Sequence, residues 1–320
     1  MINTYLPEGL ILGSPQNREL LSMGKAGLER AMSQGIIMEG NVLLCDSELN
    51  LHVDLHGIIG IIPKNEVCYS RDGEEIKDIA VITRVGKSVC FKVISVEEKH
   101  GKTVAYLSRR EAQKECKQNY VDDLIPGDII CSRVTHLENF GAFVDIGCGI
   151  VSLLSVDCIS VSRFSHPKDR LYSGMVINTV VKFIDFERDR IFVSMRELLG
   201  TWQENAQQFS PGQTVAGIIR SVENYGVFVE LAPNLAGLAE LRDDITFFSD
   251  KEPGGRVAAV YIKSIIPERM KIKLVLIDSY KGDLASPGLR YYIDCKKTKH
   301  MNYWRYSPPG CNRVIETCFE

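Results

Sequence analysis

The chain has 320 residues, 45% of them hydrophobic and 25% charged, with 38 basic against 41 acidic side chains and a net charge of −3. Its mean hydropathy of −0.04 is that of an ordinary globular protein, far from the polar, highly charged composition of disorder. The length predicts two to three domains, and the charge argues against tight, charge-driven binding to duplex nucleic acid.

At the N-terminus, Met1-Ile2-Asn3-Thr4-Tyr5-Leu6-Pro7 shows no basic leader before an apolar core, and no apolar run approaches the ~18 residues of a membrane span. The expectation is a cytoplasmic chain with no membrane partner. Leu20, Leu21, Gly24, Leu28, Ala31 and Met32 recur at helical spacing and predict one helix over 16–34, within an extension covering 1–36. Ten cysteines contain no Cys-x-x-Cys pair and sit mostly among apolar neighbours, which predicts reduced core thiols and no metal. His52 and His56 flank Val53-Asp54-Leu55 in a strand pattern, where their side chains need not converge on an ion.

From there on the chain repeats itself. Gly141-Ala142-Phe143-Val144-Asp145-Ile146 returns 85 residues later as Gly226-Val227-Phe228-Val229-Glu230-Leu231, and Pro126-Gly127 returns as Pro211-Gly212. Glu187-Arg188-Asp189-Arg190-Ile191 matches Glu268-Arg269-Met270-Lys271-Ile272 at an offset of 81. A weaker copy lies upstream, with Leu51-His52-Val53-Asp54-Leu55 in the place of Ala142-Phe143-Val144-Asp145-Ile146. Three modules follow, at 37–110, 125–198 and 210–279. Each carries short alternating runs of β-branched and aromatic residues broken by turns, which predicts a mainly β chain of three tandem five-stranded barrels. The polar stretches 111–124 and 199–209 predict short helical linkers, each stopped by a proline. In the tail, 280–320, two β-like runs around the Lys-rich turn Lys296-Lys297-Thr298-Lys299 predict a hairpin.

Phosphate-loop, His-Glu-x-x-His and Gly-x-Ser-x-Gly motifs are all absent, and the histidines scatter over separate elements, so the reading is of a non-enzymatic protein without cofactors. What remains is rings among cations. Phe140 and Phe143, and again Tyr225 and Phe228, would share one side of a barrel if the chain bulged at Gly141 and Gly226. Exposed rings can stack on any base of a single strand, while Lys182, Arg188 and Arg190, and Lys263, Arg269 and Lys271, take the phosphates. Periodicity alone leaves open whether the rings are core instead.

Asn139-Phe140-Gly141-Ala142-Phe143-Val144-Asp145, Arg163-Phe164-Ser165-His166-Pro167 and the run Val180 to Ser194 resemble the RNA-binding repeat of the ribosomal protein S-one family through nearly all of 126–196. The third module resembles it well and the first only in outline. The resemblance implies OB-fold barrels that hold single-stranded RNA on one face. Phe140, Phe143, Tyr225 and Phe228 then stack on bases, Arg190 and Lys271 supply the basic position, and Asp185 the acidic one, where the third module has Ile266. The family's His position holds Ser155 and Glu240. In the first module the aromatic positions hold Leu49 and His52, and the basic one Val104, which leaves a docking module for the small ribosomal subunit or a structural barrel. The implied partner is single-stranded RNA, mRNA in translation. The alternatives are a protein-interaction scaffold and an accessory subunit of an RNA-processing complex. In the tail, Tyr292, Trp304 and Tyr306 among seven basic residues either extend the RNA surface or pack onto the third barrel.

Charge is uneven along the chain. Residues 1–125 hold 15 basic and 18 acidic side chains, and 281–320 hold 7 and 4. Contact with RNA is therefore expected from local basic stripes on near-neutral barrels.

Overall fold

The structure is a computed structural model that describes residues 5–70, 75–99, 101–240, 255–282 and 289–319. It is mainly β. Strands β1 (Met38–Cys45), β2 (Leu51–Leu55), β3 (Ile58–Ile62), β4 (Ser88–Lys99) and β5 (Lys102–Ser108) close into a barrel in the order β1-β2-β3-β5-β4. Strands β6 (Ile129–Glu138), β7 (Gly141–Asp145), β8 (Val151–Ser155), β9 (Val176–Asp185) and β10 (Arg190–Ser194) close in the order β10-β8-β7-β6-β9. A third barrel holds β11 (Thr214–Glu223), β12 (Gly226–Ala232), β13 (Leu235–Ala239), β14 (Val257–Ile266) and β15 (Lys271–Tyr280), in the order β11-β12-β13-β15-β14. In each, one short parallel pairing completes an otherwise antiparallel sheet: β3 with β5, β8 with β10, β13 with β15. Closure leaves no open edge to pair with another chain.

The expected single helix over 16–34 is two, α1 (Pro15–Ser22) and α2 (Lys25–Gln34), broken at Met23-Gly24, where Gly24 takes a φ of 59°. Leu20, Leu21, Leu28 and Ala31 join the core of the first barrel, so the apolar stripe is spent on packing. The first linker is a helix over Arg109–Cys116 continued by a π turn over Lys117–Val121. The second is a 3-10 turn over Arg196–Leu199 and a short helix over Trp202–Ala206.

The tail differs from expectation. Its strands are β16 (Tyr303–Arg305) and β17 (Glu316–Cys318), which pair with each other, while 289–299 forms no strand. Local alternation pointed to 289–294 as the partner, but those residues bind elsewhere. The Asn178 amide donates to the Tyr291 hydroxyl (2.9 Å), and His300 Nδ1 lies 2.8 Å from an Asp128 carboxylate oxygen. Trp304 and Tyr306 are buried in the third barrel's core, with the Tyr306 hydroxyl donating to the Asn234 carbonyl at 2.5 Å. Packing, not an exposed surface, is the role of these two rings.

The chain divides into two compact units. One comprises 1–124 with 131–133 and 145–151, the other the remaining residues. The first is organised around buried charge. The Glu8 carboxylate accepts from Arg109 Nε (2.7 Å) and Nη2 (3.0 Å) and from the Cys90 amide (3.0 Å). Arg133 donates to the Glu8 carbonyl at 2.6 Å. Asp145 accepts from the backbone amides of Glu8 (2.7 Å), Gly147 (2.8 Å) and Gly149 (3.0 Å). Burial alone would raise both acids. At Glu8 the Arg109 charge, with Arg84 behind it, outweighs burial and holds the carboxyl below its ordinary range. At Asp145 burial dominates, the Glu8 charge adds to it, and the carboxyl is pushed up to about 7.

In the second unit the loop before β9 is pinned to the third barrel by a buried fork. Arg170 Nη1 and Nη2 each donate to Glu230 at 2.7 Å, and Arg220 Nε reaches the same carboxylate at 2.7 Å. Removing one partner of such a pair strands the other charge and costs about 3–5 kcal/mol.

Asp145 titrates near pH 7 in the folded chain against about 4 when unfolded, so its contribution to stability is complete below about pH 4 and lost as pH rises through about 7. Relative to Asp145→Asn, the wild type is expected to lose stability across that window, read as urea midpoints at several pH values. Parallel pH profiles for the two proteins would contradict it.

Candidate nucleic-acid interface

The candidate site lies at the tip of one hairpin in each of the last two barrels. Asn139-Phe140 joins β6 to β7, and Asn224-Tyr225 joins β11 to β12. Along β7, Ala142 and Val144 are fully buried and point inward, so Phe143 between them faces out. Val227 and Val229 impose the same on Phe228. The turn residue of each hairpin then meets the ring three positions on. Phe140 and Phe143 lie edge to face with centroids 6.0 Å apart, and Tyr225 and Phe228 do the same at 6.2 Å. Phe140 is 54% exposed and Tyr225 65%.

The expected bulge at the glycine is not how Tyr225 and Phe228 meet. Glu223, Val222 and Ser221 pair in unbroken register with Gly226, Val227 and Phe228, and the shift falls between Ile219 and Ser221 on the opposite strand. Tyr225 escapes alternation because it belongs to the turn. The glycine is needed for space. A Cβ on Gly141 would lie 2.4 Å from the Leu154 carbonyl oxygen, and one on Gly226 2.7 Å from that of Ala239. Backbone thus sits directly on backbone beneath each ring pair.

A bulge does occur where the cations are. In β9, Phe183 pairs with Phe192 and Val181 with Val193, so Lys182 is the extra residue between them. In β14, Lys263 is the extra residue between Ile262 and Ser264. In β4 it is Ile94, between Val93 and Ser95. Bulges re-aim a side chain relative to its strand, so one backbone device presents lysine in two barrels and isoleucine in the first. Lys182 Nζ lies 3.0 Å from Cys158 Sγ and 4.0 Å from an Asp157 oxygen. Burial works against ionising Asp157, but the Ser155 hydroxyl and the Lys182 charge prevail and lower it.

Beyond the bulge, Asp185 sits opposite Arg190, and its carboxylate also accepts from the Arg188 amide at 3.0 Å. Ile266 opposite Lys271 occupies the same rung of the third barrel, and Glu97 opposite Val104 that of the first. Arg188, Arg190, Lys263, Arg269 and Lys271 are all exposed.

Sequence reasoning passed over two further features. His136 stacks on Phe143 at 6.5 Å with its Nε2 2.7 Å from Glu138. Phe183 and Phe192 pair across β9 and β10 with ring centroids 6.0 Å apart. The signal for the second was present: Phe183 precedes Asp185 by two residues and Phe192 follows Arg190 by two, so all four share one face.

In the first barrel, His52 occupies the rung of Phe143 and Phe228, paired with Leu44 and Ile61, and its Nε2 lies 3.1 Å from Asp46. No ring pair forms there among the described residues.

Gly226→Ala is expected to force the β12 backbone off Ala239 and destabilise the fold by about 1–3 kcal/mol, as overpacking does. Chemical denaturation measures this; a neutral substitution would contradict the close approach.

Residues 123–196 match the family described as S1 RNA binding domain. The chain is 28% identical over 280 residues to the small ribosomal subunit protein bS1 of Rhodopseudomonas palustris, covering 86% of this chain and 46% of that protein. It is 28% identical over 264 residues to the bS1 homolog of Bacillus subtilis (80% and 63%) and 30% identical over 173 residues to bS1 of Staphylococcus aureus (52% and 43%). The chain spans about half the length of the curated relatives it matches. The matched segment thus holds a closed barrel, its hairpin ring pair and its bulged lysine, and over most of its length the chain is similar to the bS1 proteins.

Proposed function

We propose that this protein binds single-stranded RNA, mRNA in particular, and acts with the small ribosomal subunit in translation. The observation that carries the reading is the repeated, solvent-facing ring pair, Phe140 with Phe143 and Tyr225 with Phe228, each on a barrel that also carries a bulged lysine. The chain is read as three tandem OB-type repeats of the S-one kind, 37–110, 125–198 and 210–279, with helical linkers at 111–124 and 199–209 and extensions at 1–36 and 280–320. Phe140, Phe143, Tyr225 and Phe228 stack on bases. Lys182, Arg188, Arg190, Lys263, Arg269 and Lys271 neutralise phosphates, and Asp185 orients the arginines across from it. Recognition by stacking and charge tolerates any base sequence. The first repeat, whose rung holds Leu44, His52 and Ile61 and whose bulge presents Ile94, is assigned to docking on the ribosome. No catalytic step is assigned to the chain, and its place is the cytoplasm, where its bS1 relatives would meet mRNA.

For Phe140→Ala with Phe143→Ala, affinity for a single-stranded oligoribonucleotide is expected to fall by roughly 2–4 kcal/mol, since each stacked base contributes ~1–3 kcal/mol. The wild type should show log K falling with log salt at a slope near −0.7 per phosphate contact, and Lys182→Ala should flatten that slope. Fluorescence anisotropy titrations at several salt concentrations measure both. Binding indifferent to salt and to the ring substitutions would rule the reading out.

A further inference from the structure

We propose that Phe183 and Phe192 form a second base-stacking site on the second barrel, so that this barrel holds a longer stretch of single-stranded RNA than the third. The inference rests on the RNA-binding reading and adds two residues that it does not use.

Three observations carry it. First, the pair is turned to solvent. Phe183 is 56% exposed and Phe192 half-buried, with ring centroids 6.0 Å apart and planes 33° from parallel. Two adjoining phenylalanines on a sheet face are an apolar surface left in water, and such patches mark binding sites.

Second, barrel closure does not require them. Phe192 pairs with Leu153 and Phe183. The matching rung of the third barrel, in which Phe228 pairs with Leu238, Leu238 with Lys273 and Lys273 with Ser264, puts lysine and serine in their place. In the first barrel, Ile61 pairs with Tyr106 and Tyr106 with Ser95. Three barrels close around this rung with different outward side chains, so the rings are a property of the surface.

Third, the surroundings fit a nucleic-acid strand. Arg190 and Asp185 form the next rung on the same face, about 7 Å along the strands, so a cation stands beside the rings. Strand β8 separates β10 from β7, which sets Phe192 about 10 Å from the β7 backbone that carries Phe143. The two ring pairs therefore border one sheet surface, with Leu153 between them. A protein partner would find there an arginine and an aspartate around isolated rings; a single strand finds stacking faces with a phosphate-binding cation. The third barrel, with Lys273 added to Lys271 on that face, meets the same strand through charge.

The test uses the full chain and 5′-fluorescein-labelled oligouridylates of increasing length, with anisotropy as the readout. Phe183→Ala with Phe192→Ala is expected to weaken binding at least about tenfold with an unchanged salt slope, and to shorten the oligonucleotide that reaches full affinity. Phe183→Ser with Phe192→Lys rebuilds the third barrel's rung and should fold. It is expected to lose the long-oligonucleotide advantage while steepening the salt slope. Phe140→Ala with Phe143→Ala runs alongside. If that variant loses affinity while both substitutions at 183 and 192 leave affinity and length dependence unchanged, the second site is refuted and the RNA reading stands. If none of the variants affects binding, both fail together. Self-association of the free protein that vanishes on substituting Phe183 and Phe192, with RNA affinity intact, would make the face a protein contact and overturn the proposal.

Discussion

Closing five short strands around a common interior is the constraint on which the rest depends. The inward positions of the strands are filled by small and branched residues in the last two barrels: Ala142, Val144 and Val193 in the second, Val229, Ala258 and Leu274 in the third. Once those positions are taken, alternation sends Phe143, Phe192 and Phe228 outward, whatever their hydrophobicity. The short parallel pairing that completes each sheet then aligns the outward residues of four strands into rungs. Core packing and surface chemistry are two readings of one register, and a slip of one residue would exchange them.

On that scaffold the three barrels differ in what the rungs and the shared bulge present. The bulge falls at the same place in each and carries Ile94, Lys182 or Lys263. The rung below it reads serine and tyrosine, then two phenylalanines, then serine and lysine. Backbone geometry is reused while the side chains it presents change from barrel to barrel. Such variation is cheap, because outward positions contribute little to closure.

Long-range pairs do a different job. Glu8, Arg109 and Asp145 lie far apart in the chain and meet in one buried cluster, and Arg170 and Glu230 do so in the second unit. Both gain their strength from exclusion of water, which also makes any unpartnered member expensive. Both carboxylates of the first cluster are buried yet move in opposite directions: Arg109 faces Glu8 directly and overcomes burial, whereas at Asp145 burial and the Glu8 charge outweigh the backbone amides that favour ionisation.

Much of this was legible in the sequence. Repeated Gly-x-Phe-Val segments and period-two hydrophobicity pointed to small β barrels, since strand alternation and turn chemistry are local. The same local logic singled out Phe140, Phe143, Tyr225 and Phe228 and the lysines at 182 and 263. It went wrong wherever the deciding partner was distant. The helix over 16–34 broke at Gly24 as its two halves packed, and residues 289–294 were drawn away from the expected hairpin by Asn178 and other distant groups. Phe183 and Phe192, each an unremarkable member of an alternating run, became a pair only through cross-strand register. Neither the turn that frees Tyr225 nor the bulge that turns Lys182 is visible in periodicity, because a bulge is defined by its partner strand. The sequence by itself determined which residues share a face of each strand, because that follows from alternation along one strand. Only the tertiary structure decided which outward residues are neighbours, because that depends on pairing between strands far apart in the chain.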